Sequence, residues 1–537
     1  MTAILFRGGT VWTGCGKIAD ALLVREGRIA ALGEDARRLG GVGNTVEIVD
    51  LAGGFLMPSF GDGHAHPMLG GLESLGPQVR ACASIGEIVA EVRRFAAAHP
   101  DLGWITGGSY DRTLAPGGLF DARWLDEAVS DRPVVLRAAD YHTAWCNSEA
   151  LRRCGIGDDT PDPELGDIPR RSDGSVLGTL REWGAVDLVL GQVPRDVEVG
   201  VAALEAASDY FLRRGVTWVQ DAWVNLSDVD VYLAAVNRGR LGVRFNLAFH
   251  ADPRRFRTQV AAFVEARGRV AELRSPLLAA NTVKFFADGV VGNETASLLR
   301  PYCSALHSHG LRVWDHDTLA QAARLVDEHG FQIHVHAIGD AAVRQALDAI
   351  EYVVAANGSS DRRPVIAHAE LIDDADLGRF AQLGVIANMQ PLWAQLDSLM
   401  TDVMLPRLGA DRVARMYRMQ SLAGLGARVS FGSDWPVSSG APLAGIAVAV
   451  TRPIAGDPTG AWTSSESLTV EQALTAYTSS VAAQAFSDRS TPPGGTLRAG
   501  ASADLVWLDR DPRTAPTGEL ADIAVLAVWL AGRRQLR

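Results

Sequence analysis

Apolar residues come in short blocks along this chain, and the blocks change character between the ends and the middle. Near the N-terminus, residues 3–6, 10–13, 21–24, 28–32 and 46–51 are apolar-rich runs. Glycine-containing turns separate them at Gly8-Gly9, Gly14 and Glu26-Gly27, a pattern of short strands with a hairpin. Residues 505–508 and 523–530 read the same way at the other end. Neither end carries enough apolar residues to bury a core alone. The pattern therefore predicts one small composite β-sandwich domain built from residues 1–58 and 490–537.

The middle alternates apolar runs with helical stretches, which predicts parallel strands joined by crossover helices. Eight candidate strands fall at 55–59, 216–221, 243–250, 282–287, 332–337, 365–370, 385–390 and 428–432. Eight such units predict an α/β fold of the (β/α)8 TIM-barrel type over residues 59–489. An insertion at about 70–200 is expected, because one βα unit needs far fewer residues than separate the first two strands. Residues 319–329 and 340–356 carry helical periodicity, and Thr469 with Gln472 forms a capping box at the start of the last barrel helix. No internal repeat or low-complexity tract interrupts the pattern.

Composition narrows the function. The 537 residues are 47% hydrophobic and 21% charged, with a formal charge of −12. An acidic balance argues against nucleic acid and against an anionic membrane surface as partner. No apolar run approaches the roughly 20 residues that span a bilayer. The first residues lack the basic start and long apolar stretch of a secretory signal. The five cysteines are scattered, with no CxxC pair, so a cytoplasmic protein without disulfides is expected. The expected partner is a small-molecule substrate, and a homodimer is compatible with this reading.

The chemistry lies at the strand ends. His64 and His66 stand at i and i+2, a spacing that turns both toward one face. Lys284 falls on the fourth candidate strand, His334 and His336 on the fifth, His368 on the sixth, and Asp434 just after the eighth. In a barrel the C-terminal ends of the strands converge on one mouth, so residues distant in sequence can bind one ion. Imidazole and carboxylate suit zinc, iron or manganese.

The chain resembles the metal-dependent amidohydrolase superfamily, in its amidohydrolase family 3 branch, which includes N-substituted formamide deformylase. The matching stretches are Met57-Pro-Ser-Phe-Gly-Asp-Gly-His-Ala-His66, Val283-Lys-Phe-Phe-Ala-Asp-Gly289, Val335-His-Ala-Ile-Gly-Asp340, Ala367-His-Ala-Glu370 and Gly432-Ser-Asp-Trp-Pro436. Residues 137–151, with His142-Thr-Ala-Trp-Cys-Asn147, and Gly178-Thr-Leu-Arg-Glu182 are also similar to the branch. So is the closing Gly-x-Leu-x-x-Gly-x-x-Ala-Asp of residues 495–504. Ser59-Phe-Gly-Asp-Gly departs from the usual Gly-Phe-Ile-Asp-Ser/Thr and leaves both histidines in place.

The resemblance implies that His64, His66 and Asp434 hold the more buried metal and that His336 and His368 hold a second. It implies that Lys284, carboxylated by CO2, bridges the two. An unmodified ammonium has no lone pair to offer a metal; left unmodified, Lys284 would form an ion pair at a mononuclear site. His334 shares the face of His336 and is the alternative ligand. Zinc is the expected cofactor, as one or two ions, with other divalent metals as alternatives. The implied reaction is attack of metal-bound hydroxide on an amide or formamide, a non-peptide C–N bond, with Asp434 and Lys284 as catalytic residues and Asp434 moving the proton.

His142 is expected to meet substrate or to serve structure, and His250 could reach the mouth. Asp288 and Asp340 are expected to support ligands or cap helices. Trp104, Tyr110, Trp145, Trp223, Trp393 and Trp435 are candidates for an apolar pocket, with Trp104, Tyr110 and Trp393 the assigned substrate contacts beside His142. No Arg or Lys stands where it marks a carboxylate or phosphate site. The alternatives are an ester or lactone hydrolase, a deaminase on the same site, or a non-catalytic barrel scaffold. Lys284 disfavours the deaminase, and the full ligand set disfavours the scaffold.

Overall fold

A computed structural model describes residues 3–41, 46–194 and 196–535. Its centre is a sheet of eight parallel strands: β1 (Phe60–Ala65), β2 (Val216–Val224), β3 (Arg244–His250), β4 (Leu278–Phe286), β5 (Gln332–Ala337), β6 (Val365–His368), β7 (Ile386–Met389) and β8 (Arg428–Phe431). Each pairs in parallel with the next in sequence. The seam between β8 and β1 is tied just past the strand end. Asp434 N donates to His64 O at 2.7 Å, and His66 N donates to Trp435 O at 2.7 Å. The barrel floor is a polar network. Asn246 Nδ2 donates to Gln220 Oε1 and Thr282 Oγ1, both at 2.8 Å, and Gln484 Nε2 closes it from below on Gly63 O at 2.7 Å.

The first barrel strand differs from the sequence expectation. Phe55–Pro58 lies outside the barrel, and Phe60–Ala65 takes its place. The apolar run Phe55-Leu-Met-Pro58 is claimed by the antiparallel strand Leu505–Leu508, with Leu505 opposite Pro58 and Leu508 opposite Phe55. The true β1 carries two glycines and an aspartate, a poor strand signal. The glycines are there for space. A side chain at Gly61 would meet Val481 at 2.6 Å, and one at Gly63 would meet Asn388 Nδ2 at 2.3 Å.

Strands from both ends of the chain share a second eight-stranded sheet. Its order is Arg533–Arg534, Val525–Leu530, Leu505–Leu508, Phe55–Pro58, Ala3–Trp12, Ile18–Arg25 and Arg28–Leu32, with Val46–Asp50 pairing alongside Ala3–Trp12. The sheet curls over its own core, so that Phe6 and Trp529, three strands apart, meet edge to face at 4.9 Å. Arg244 anchors it to the barrel through Asp504 at 2.7 Å.

Between β1 and β2 the chain leaves the barrel. After the helix Pro67–Leu75 it builds a lobe on a four-stranded sheet ordered Thr179–Arg181, Thr143–Cys146, Val134–Ala138, Ile105–Tyr110. Two apolar clusters give the lobe its own core. It returns through the helix Val197–Leu212. The lobe is latched to the loop after β4: Arg112 reaches Asp140 and Asn293 at 2.5 Å, and Glu182 accepts from Asn293 at 2.8 Å and Thr295 at 2.7 Å. The capping box at Thr469 and Gln472 is formed at the last barrel helix, as expected. Among the described residues no helix is long and apolar enough to cross a membrane.

Candidate metal centre

The alternation of side chains along β1 turns His64 and His66 into the barrel together. Both are buried, and their Nε2 atoms lie 3.4 and 2.9 Å from Asp434 Oδ1. All three donor atoms fall within 4.8 Å of one another. Asp62 sets this spacing. Its carboxylate accepts from His64 N at 3.2 Å, Ser433 N at 3.0 Å and Ser433 Oγ at 2.5 Å, tying β1 to the turn that carries Asp434. His334 Nε2 sits 2.9 Å from His64 Nδ1, which fixes the His64 ring and leaves its Nε2 toward the site. His66 Nδ1 and Asp434 Oδ1 are buried without a hydrogen bond of normal geometry.

The electrostatics suit a cation. Burial pushes the His64 and His66 imidazoles down, toward the neutral form that binds a metal. Burial works to raise the pKa of Asp434, but the two imidazoles beside it outweigh that and hold its carboxyl well below the usual range. Two neutral imidazole nitrogens and a carboxylate oxygen, buried and converging, fit a divalent transition metal.

Lys284 stands on β4, fully buried, with Nζ 3.3 Å from His64 Nε2. Burial pushes its ammonium down to about 7, against the pull of Asp434 and Asp221. His368 ends β6, its ring 4.7 Å from that of His64 and 4.6 Å from that of His336. Gln390 Oε1 holds His368 Nδ1 at 2.8 Å, and Trp393 stacks on the ring at 5.4 Å, 8° from parallel. His336 is the last residue but one of β5, with Nε2 3.1 Å from Gly289 O and 3.6 Å from Asp288 Oδ1. His334, two residues earlier and deeper, braces His64. Asp288 accepts from the backbone of Ser297, Ile338 and Gly339 at 2.8, 3.0 and 2.9 Å and shapes the loops around His336. Asp340 accepts from Leu299 N at 2.8 Å at the start of its helix.

His142 reaches this mouth from the lobe, its ring 5.8 Å from that of His336. Its Nδ1 is 2.7 Å from Glu182 Oε2; burial opposes the charged form, but Glu182 outweighs it and raises the imidazole. Trp223, His250 and Phe286 form one wall, with Trp223 at 5.4 and 4.9 Å from the other two and 6.4 Å from His66.

Two of the expected substrate contacts lie elsewhere. Tyr110 is fully buried in the core of the lobe, between Phe120 at 4.6 Å and Trp145 at 5.7 Å, and Trp145 is core with it. Trp104 packs against the lobe's second cluster, beside residues such as Cys146 and Val186. Both support the lobe from within because its sheet has its own apolar faces to cover. Trp435 stacks on Tyr210 at 4.3 Å, behind the site. Glu182, Gln390 and Asp62 were not assigned from sequence, although Glu182 ends the stretch 178–182 and Gln390 ends the seventh candidate strand.

The site is thus a buried histidine–carboxylate cluster at the C-terminal ends of the strands of a nearly closed parallel barrel. The chain belongs to the amidohydrolase family, whose sequence profile matches residues 47–535. It is 32% identical to Protein LONG AFTER FAR-RED 3 of Arabidopsis thaliana, over 99% of this chain and 91% of that one. It is 27% identical to the N-substituted formamide deformylase of Arthrobacter pascens, over 96% and 94%. An uncharacterized metal-dependent hydrolase from Pyrococcus furiosus superposes with a TM-score of 0.73 at 25% identity, covering 95% of this chain and all of that one.

Proposed function

We propose that this protein hydrolyses a non-peptide C–N bond, an amide or formamide, in a small substrate with an apolar or aromatic part. The observation that carries this reading is the convergence of His64, His66 and Asp434, buried within 4.8 Å, with Lys284 alongside. The Arthrobacter relative is named for a reaction of this class. We assign zinc, held by His64, His66 and Asp434, with a second ion at His336 and His368. A lysine with a pKa of about 7 is partly a neutral amine at neutral pH. That amine can add CO2 with loss of a proton, and the resulting carbamate would offer anionic oxygens to the ions these residues would hold. When bound, the metal supplies Lewis acidity to the substrate carbonyl and the attacking water.

The rest falls to this chain's own residues. The Asp434 carboxylate takes the proton of the attacking water and returns it to the leaving nitrogen. His142, set by Glu182, and Trp393, stacked on His368, contact the substrate. Bracing by His334 and Gln390 keeps the ligand rings in place. The five cysteines are unpaired, in keeping with the cytoplasm as the compartment we assign. The test is a screen of the zinc-loaded protein against formamides, acyl amides, cyclic amides and esters, with metal counted by elemental analysis. Turnover of amides or formamides supports the reading. Turnover of esters alone, or of none while zinc is bound, overturns it.

A further inference from the structure

Arg137 stands on the lobe strand Val134–Ala138 and is only 9% exposed. One of its Nη atoms donates to Tyr141 O at 2.6 Å, and its Nε is buried with no partner. The guanidinium lies 4.7 Å from the ring of Tyr141 and 5.9 Å from that of Trp223. Among the described residues it makes no ion pair. A buried arginine is almost always paired, because taking an uncompensated charge out of water is expensive, and aromatic faces offset only part of that.

Asp187 lies near enough for its charge to act on Arg137, although no ion pair joins the two; the other nearby carboxylates are engaged elsewhere. Asp140 takes Arg112, Glu182 takes His142, and Glu73 takes Tyr141, Ser109 and Arg80. The guanidinium also lies beside the reaction site. Trp223, under the guanidinium, belongs to the wall formed with His66, His250 and Phe286.

We propose that Arg137 receives a carboxylate carried by the substrate, so that the site takes an N-acyl amino acid or a similar amide acid in place of a neutral amide. Its unpartnered Nε and planar fork suit the two oxygens of a carboxylate. Trp223 and Phe286 then pack on the apolar part of the same molecule. This inference rests on the hydrolase reading above for the reaction, but the anion site can be tested without turnover.

The probes are N-acetylphenylalanine and its neutral counterpart N-acetylphenethylamine, titrated calorimetrically into the zinc-loaded full-length protein. The acid should bind about 10- to 100-fold more tightly, the scale of a charge-assisted pair in a desolvated site. Arg137→Gln should remove that preference with metal content unchanged, and Arg137→Lys should restore part of it. Where the acid is turned over, the loss in Arg137→Gln should fall on KM and leave kcat nearly constant. Arg137→Met, which keeps the apolar stem, serves if the glutamine variant does not fold. Equal binding of the two probes, binding of neither, or a preference that survives both substitutions overturns the proposal. A preference that Arg137→Gln abolishes, without hydrolysis of any amide, keeps the anion site and sinks the hydrolase reading.

Discussion

Asp434 sits in the left-handed backbone region, at φ +57°, and so does His368, at φ +73°. A non-glycine residue there costs on the order of 1–3 kcal/mol and persists only where its surroundings fix it. Backbone bonds from Asp434 N to His64 O and from Ala369 N to Ala337 O do so here. The strain aims a carboxylate and an imidazole at one point, which the regular strand directions would not achieve. Substitutions at three positions separate the roles. His64→Ala should remove metal and activity together, because His64 faces Asp434, Lys284 and His368 at once; full activity with normal metal content would refute it. Asp434→Asn keeps an oxygen but cannot take a proton, so turnover should fall about 10²–10⁴-fold, the range for lost acid–base catalysis, while metal content falls much less. Normal turnover in that variant would pass the proton to His142 or His250. Lys284→Ala should lower metal from about two ions to one or fewer if the lysine bridges them as a carbamate, and short carboxylic acids should restore part of the activity by supplying the missing oxygens. If Lys284 acts only as a cation, Lys284→Arg should keep much of the function.

At the scale of elements, the strands deliver side chains and their neighbours hold them. Gln390, just past β7, fixes the His368 ring; Gln390→Leu should leave the fold intact and weaken metal retention about 10- to 100-fold against a chelator, as loss of an orienting partner usually does. Unchanged retention would mean that Trp393 alone holds the ring. Thr469→Ala breaks the capping box and should cost about 1 kcal/mol, read from the urea midpoint. The barrel was legible because seven of its strands are apolar runs with helical segments between them, and because His64 and His66 at i, i+2 have a geometric meaning in any strand. β1 was not legible: its glycines serve the close approach of Val481 and Asn388, which only the closed barrel reveals. The aromatic lining was not legible either. Tyr110 and Trp223 look alike in sequence, but Tyr110 ends a strand of the lobe's sheet and is buried in its core, while Trp223 lies near the end of barrel strand β2. Arg137 escaped notice because its isolation, not its type, makes it informative.

For the molecule as a whole, the candidate metal centre hangs between two additions to the barrel. The lobe covers the mouth through Arg112, Asn293 and Glu182, and the curled sheet grips β1 from the opposite end of that strand. Only Ser59 separates Phe55–Pro58 from β1, and Ser59 N itself donates to Asp504 O at 3.0 Å. We propose that the two chain ends form one cooperative unit on which the site depends. Ending the chain at residue 490 removes Leu505–Leu508 and Val525–Leu530, bares the edge of Phe55–Pro58, and uncovers Phe6, Leu22 and Leu56. That chain should be insoluble or bind no metal, although every metal ligand is still present. Trp529→Ala is the milder arm. It leaves the strands and removes the ring that packs edge-on against Phe6, a loss of about 3–5 kcal/mol for a buried tryptophan, so the urea midpoint should drop while metal content in the folded protein stays the same. A truncated chain that is soluble, binds metal normally and unfolds at the parent's urea concentration would show that the terminal sheet is an appendage and that β1 needs no support from it.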